Sequence, residues 1–193
     1  MRRSYYLLPM PSSTAASSEL ERLRQLVPEF QLIRSSELRE KCERTWLRAL
    51  KEGGFTPDDI QNIPNSLLTK DPVPFAVSKR AVARMCAAMW DTLHEYYGER
   101  LKADRDTLVA GALLADAGKF LEYSYKDGKW GKSSVGKFLR HPFTGVALAH
   151  AEGVPAPVLH VIAAHSKEGD PYPRTPECII FHHADFTDFE LLG

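Results

Sequence analysis

Apolar positions recur at helical intervals along most of this chain, and strict alternation occurs at one place only. Leu20, Leu23, Leu26 and Val27 space a helix over 19–26, which Pro28 should end or kink. A second helix is expected over 36–52. Ser35-Ser36 precede Glu37 and Glu40, whose charge suits a helix N-terminus, and Gly53-Gly54 follow its end. Thr56-Pro57-Asp58-Asp59 repeats the start signal for a short helix with Pro57 in its first turn. The three prolines of 64–74 predict an irregular connection. After it, Val77, Ala81, Val82, Met85, Ala88, Met89, Leu93 and Tyr96 form the stripe of a long helix over 75–97, stopped by Gly98.

The next element is almost wholly apolar. Leu108 to Ala117 is long enough for three helical turns, and one carboxylate, Asp116, breaks it just before Gly118-Lys119. Alternation around Asp127-Gly128 within 122–130 then predicts a small β-hairpin. Helical patterns resume over 143–152, closed by Gly153, and over 155–165 and 176–189. The sum is an all-α fold with one hairpin. Residues 1–18 read as an arm, since the Pro, Ser, Thr and Ala of 11–18 offer little to bury and suggest a linker. Residues 19–73 form a helical extension and 74–193 the main helical domain.

Composition narrows the function classes. Twenty-five Lys and Arg balance twenty-five Asp and Glu, so the chain lacks the charge of a general nucleic-acid binder, and no nucleic-acid partner is expected. No apolar run approaches the roughly 18–20 residues of a membrane span, so no membrane partner is expected and a cytoplasmic location is inferred. The acid-free, Arg- and Ser-bearing first eighteen residues also suit a transit peptide, but an arm that is free or packs on a neighbouring subunit fits better. Cys42, Cys86 and Cys178 are odd in number and in no CxxC spacing, which makes them packing residues of a reducing compartment.

The chemistry resides in polar residues at the ends of apolar helices. Asp116 closes one such run, His141 opens the helix after the hairpin, His165 follows Val161-Ile162-Ala163-Ala164, and His182-His183-Ala184-Asp185 follows Cys178-Ile179-Ile180-Phe181. Imidazole and carboxylate are the usual ligands of Zn²⁺, Fe²⁺ and Mn²⁺, and a bound cation would account for their accumulation beside apolar segments. Asp116 as a turn residue paired with Lys119 is the plainer alternative. His94, His150 and His160 read as caps or satisfied core residues.

Leu113-Leu114-Ala115-Asp116-Ala117-Gly118-Lys119, the His141-Pro142-x-x-Gly145 box, the Ala164-His165-Ser166 helix end and Ala184-Asp185 together resemble the HD-domain superfamily of metal-dependent phosphohydrolases, over roughly 74–191. The resemblance implies a helical bundle holding one or two metals, in which a metal-activated water attacks a phosphoester or related bond. Two family imidazoles are replaced here, by Ala115 in the His-Asp pair and by Ser78 four residues before Val82. What survives implies one divalent transition metal, Zn, Fe or Mn, held by Asp116, His141 and His165, with His182 (or His183) and Asp185 within reach. Lys119 would stabilise developing negative charge, and Asp185 or His165 would serve in acid-base chemistry.

Three readings follow from the degenerate motif. The first is a hydrolase with a reduced, mononuclear metal site acting on a small phosphorylated or carboxylated substrate. The second is a lyase or isomerase that needs no metal and uses His165, His141 and Asp116 as acid and base. The third is an inactive binding module. Lys167 and Arg174, just after His165, are candidate anion-binding residues, and Tyr125, Trp130, Phe186 and Phe189 are candidate aromatic walls. The hairpin tip, Lys126-Asp127-Gly128-Lys129, and the arm are candidate contacts of a homo-oligomer.

Overall fold

The computed structural model describes residues 13–192, so the reading of the first residues as an arm lies largely outside it. Helix α1 (Ser13–Leu26) begins earlier than its apolar spacing suggests. Residues 13–18, read as linker from composition, are helical because no Gly or Pro interrupts 12–27 and the helix extends backwards from its packed turns. Pro28 then opens a 3-10 turn (Pro28–Leu32). Helix α2 (Ser36–Gly53) has the expected ends: the Ser35 hydroxyl accepts from the Leu38 amide at 3.3 Å, and Gly54 takes φ 78°. Pro57–Gln61 is a 3-10 turn, with the Asp59 carboxylate accepting from the Thr56 amide at 2.7 Å.

The proline-rich connection is pinned at both ends. Pro64 and Pro74 form an isolated bridge, the Asn65 amide donates to Val73 O at 2.9 Å, and the Phe75 amide donates to Ile63 O at 2.7 Å. Helix α3 (Phe75–Tyr97) has the expected length and packs Val82, Met85, Met89 and Leu93 of the expected stripe on the core, but its most buried face is rotated from that stripe. Its interior positions are Phe75, Ala76, Ser78, Lys79, Val82, Ala83, Cys86 and Ala87, whereas Val77 and Tyr96 of the apolar stripe are 54% and 76% exposed. A wholly buried lysine lies in the middle of the inward face.

Helix α4 (Arg105–Leu114) is buried throughout Thr107 to Leu114 and is started by the Asp104 carboxylate, which accepts from the Thr107 amide at 2.7 Å. It stops short of the expected 117. Residues 115–118 form a turn leading into the single-turn helix α5 (Lys119–Glu122), so Asp116 lies on that turn rather than on a helix. Strands β1 (Tyr123–Lys126) and β2 (Lys129–Lys132) pair antiparallel, with positive φ at Asp127 and Gly128 as a two-residue hairpin turn requires. Helices α6 (His141–Ala151), α7 (Ala156–Ala164) and α8 (Pro176–Leu192) complete the fold, as the pattern predicts to within a few residues. The result is a helical domain with one small sheet.

Helix α4 is the centre of the packing, against α2, α3, α7 and α8. The extension shares this core. Trp46 on α2 is fully buried, meets Phe30, Phe75 and Phe120 at ring separations of 5.5, 5.4 and 5.5 Å, and donates its indole N–H to Leu113 O at 2.8 Å. That bond satisfies a carbonyl in the last turn of α4, which has no partner within the helix. Glu29, also buried, accepts from Arg80 and Arg84 of α3 at 2.7 Å each. Asp106 accepts from the amides of Arg34 and Ser35 at 2.9 and 2.7 Å. All three cysteines are buried and free, and among the described residues no helix is long and apolar enough to cross a membrane.

Two glycines bring the site together. A Cβ on Gly118 would lie 2.1 Å from His141 O and 2.5 Å from Thr144 Oγ1, and one on Gly145 would lie 3.0 Å from Ile162 Cγ2. The first turn of α6 therefore rests directly on the 115–118 turn. Gly118→Ala should cost about 1–3 kcal/mol in urea denaturation, because relief of the clash requires α6 to move. Trp46→Ala should cost about 3–5 kcal/mol by the same measurement.

Candidate metal centre

Asp116, His141 and His165 come from the α4–α5 turn, the start of α6 and the end of α7, and all three are buried. Their donor atoms converge. His141 Nε2 is 3.1 Å from His165 Nε2 and 3.2 Å from Asp116 Oδ1, and His165 Nε2 is 3.6 Å from the same oxygen. These atoms form the one group of three potential metal ligands found among the described residues.

The other ring nitrogens fix the tautomers. His165 Nδ1 lies 2.7 Å from Ile162 O, which can only accept, so Nδ1 carries the proton. His141 Nδ1 lies 3.0 Å from Glu122 Oε2, and that carboxylate is ionised. Desolvation opposes the charge on Glu122, but bonds from the His141 ring and amide and the Arg140 charge outweigh it and bring its pKa down to about 2. Burial pushes His141 down to about 4, against the pull of Glu122 and Asp116, so the ring is neutral near pH 7. His141 Nε2 therefore presents a lone pair toward His165 Nε2 across 3.1 Å, beside a carboxylate oxygen. Three potential acceptors this close need a proton or a cation among them. Tetrahedral ligands about 2.0–2.1 Å from a zinc ion stand about 3.3–3.4 Å apart, and the three observed separations bracket that value. The donor set fits a borderline divalent metal.

Asp116 faces a second set of groups through its other oxygen. Oδ2 accepts from the ammonium of Lys79, which also donates to Asp185 Oδ1 at 3.2 Å, while Lys119 Nζ approaches Oδ1 at 3.1 Å and donates to Asn65 O at 2.7 Å. Desolvation would raise the Asp116 pKa, but the charges of Lys119 and Lys79 overcome it and hold the group well below the carboxylate range. Burial lowers Lys119 despite Asp116, whereas for Lys79 the two carboxylates outweigh burial and raise it. Ser78 donates to the buried Asp188 at 2.6 Å and adds nothing to this cluster.

Other sequence candidates are placed differently. Asp185 is bound to Lys79 and lines the cavity, but it lies outside the three-ligand group. His182 also lies outside it. Its ring packs on Phe186 at 4.2 Å, and its buried Nδ1 has no hydrogen-bond partner. His183 packs edge-on against His182. Arg174 pairs with Asp170 at 2.7 Å and does not line the cavity, whereas Lys167 does. Phe186 and Phe189 are cavity walls. Tyr125 instead packs on Trp130, which in turn packs on Phe55, both pairs with tilted rings. The sequence reading missed Lys79, Glu122 and Arg140.

The cavity has a volume of about 560 Å³. Asp116, His141, His165, Lys119 and Asp185 line it, with Leu67, Leu68, Phe186 and Phe189 as its apolar wall. Arg140 contacts the Glu122 carboxylate from the cavity side and reaches Glu168 at 3.0 Å. Glu122→Gln should weaken divalent-metal binding about 10–100-fold in a titration, because the His141 tautomer is no longer enforced. The lowered Glu122 pKa adds stability that is full above its unfolded value near 4.5 and is lost as pH falls toward 2. Denaturant titrations over that window should show a steeper loss for the unmodified chain than for Glu122→Gln.

The HD domain family model matches residues 80–189, more than half of the chain, and HD domains usually bind divalent metals. Comparisons with curated proteins and with solved structures return no match. The helical domain with its small hairpin, and the Asp and His residues gathered where α4, α6 and α7 meet, agree with that match, and the chain belongs to the HD domain family.

Proposed function

We propose that this protein is a hydrolase that uses one divalent transition-metal ion, held by Asp116, His141 and His165, to cleave a small anionic ester, phosphorylated or carboxylated. The observation that carries the reading is the convergence of the two imidazole Nε2 atoms, 3.1 Å apart, on a carboxylate oxygen, inside a cavity of substrate size. A cation bound there supplies the Lewis acidity that lowers the pKa of a water toward neutrality and polarises the bond to be broken.

The chain's own groups do the rest. Glu122 and Ile162 O hold the two imidazoles as Nδ1–H tautomers, so the ring protons are never in the way. Lys119 lines the cavity beside Asp116 Oδ1 and meets negative charge that develops on the substrate. Asp185, partly open to the cavity with Oδ1 fixed by Lys79, orients the attacking water and takes its proton. Leu67, Leu68, Phe186 and Phe189 accept the organic part of the ester, and exposed Lys167 sits at the rim for an anionic group.

The metal-free lyase or isomerase reading retains one supporting observation: Lys79 and Lys119 already neutralise Asp116. Elemental analysis separates the two readings. Protein purified without added metal or chelator should carry near one equivalent of Fe, Mn or Zn, and Asp116→Ala should carry none. Activity on a panel of phosphomonoesters and phosphodiesters should vanish in a strong chelator and return with the ion. Absence of metal in both proteins after reconstitution, or turnover that persists in chelator, would overturn the proposal.

A further inference from the structure

Asp116 divides its two oxygens between two cation positions. Oδ1 belongs to the imidazole pair, and Oδ2, with Asp185 Oδ1, belongs to the Lys79 ammonium. The second position is therefore already filled, by a charge attached covalently to α3. Lys79 is fully buried within the inward face of that helix and is absent from the cavity lining, so it touches no substrate. Its Nζ is shared between Asp116 Oδ2 and Asp185 Oδ1, the latter at 3.2 Å. Ser78, one residue before Lys79, is turned away to Asp188.

We infer that the Lys79 ammonium is the fixed occupant of a cation position between Asp116 and Asp185, and that removing it opens this position to a second divalent ion. Lys79 is thus a positioning residue. It keeps Asp116 ionised and aimed at the imidazoles, fixes Asp185 at the cavity edge, and limits the centre to the one exchangeable cation of the proposed function, on which this part of the inference rests. An ammonium neutralises charge but offers no exchangeable coordination sites. Any water or substrate oxygen that needs direct cation contact must find it on the imidazole side.

The test is a count of bound ions. Full-length protein stripped of metal is titrated with Mn²⁺, read by calorimetry and by electron paramagnetic resonance, for the unmodified chain, Lys79→Ala and Lys79→Ala/Asp185→Asn. Lys79→Ala should bind one more equivalent than the unmodified chain, with a spin-coupled signal, and the double variant should lose that equivalent. Equal counts in the unmodified chain and Lys79→Ala would overturn the inference, as would two equivalents in the unmodified chain. If the unmodified chain binds none and Lys79→Ala binds one that Asp185→Asn removes, the inference holds and the mononuclear-hydrolase reading fails. Should Lys79→Ala be unstable, its melting temperature must rise with Mn²⁺ by more than that of the unmodified chain, and absence of that rise overturns the inference. Asp185→Asn alone should leave the affinity of the first ion unchanged, and loss of that ion would likewise overturn it.

Discussion

A carboxylate that is 3% exposed stays ionised only if cations surround it, and Asp116 meets this requirement from several directions. The charges are Lys79 from α3 and Lys119 from the start of α5, and the two imidazoles of α6 and α7 lie against the same carboxylate. Each of these elements also packs, directly or through its neighbours, on α4, the helix that delivers Asp116. The charge balance and the hydrophobic core are thus satisfied by the same arrangement. Removing one partner from a buried charged cluster typically costs about 3–5 kcal/mol, so the site is part of what holds the domain together.

Close backbone approach makes that convergence possible. Gly118 and Gly145 let the first turn of α6 touch the α4–α5 turn, and this places the His141 ring within reach of Asp116 and Glu122 at once. Glu122 then performs two tasks. Its Oε2 accepts from both the amide and the ring of His141, and its Oε1 faces Arg140 and Lys132. The first turn of α6 and the orientation of a candidate ligand are set by one side chain.

The helical extension reaches the site through the 64–74 loop. Lys119 donates to Asn65 O, and Leu67 and Leu68 form part of the cavity wall. These residues precede the segment matched by the family model. The scaffold and the candidate metal ligands therefore lie in the segment matched by the family model, while part of the cavity wall comes from the extension ahead of it.

Sequence alone determined the helical class, the hairpin, the order of elements and the candidates Asp116, His141 and His165, because each depends on local signals: apolar spacing, capping residues, Asp-Gly turn chemistry and short motifs at helix ends. It located the ends of α2, α3 and the hairpin for the same reason. It also gave the family through those motifs, as the match over 80–189 bears out. Tertiary structure decided everything that depends on which groups meet. The inward face of α3 runs through Lys79, a polar residue that breaks its apolar spacing, and so the continuous apolar stripe falls partly on a neighbouring face. Phe75, Val82, Ala83 and Cys86 at helical spacing on either side of Lys79 were the available signal. Glu122 gave no sign of its role, since the bond that fixes His141 spans the hairpin. The separation of His182 and Arg174 from the three-ligand group is equally illegible, because nearness in sequence does not set which way a side chain faces: the His182 ring packs on Phe186, and Arg174, in the loop before α8, pairs with Asp170. A linear pattern records which residues want to be buried or charged; only the packed chain decides which opposite charge each buried charge finds.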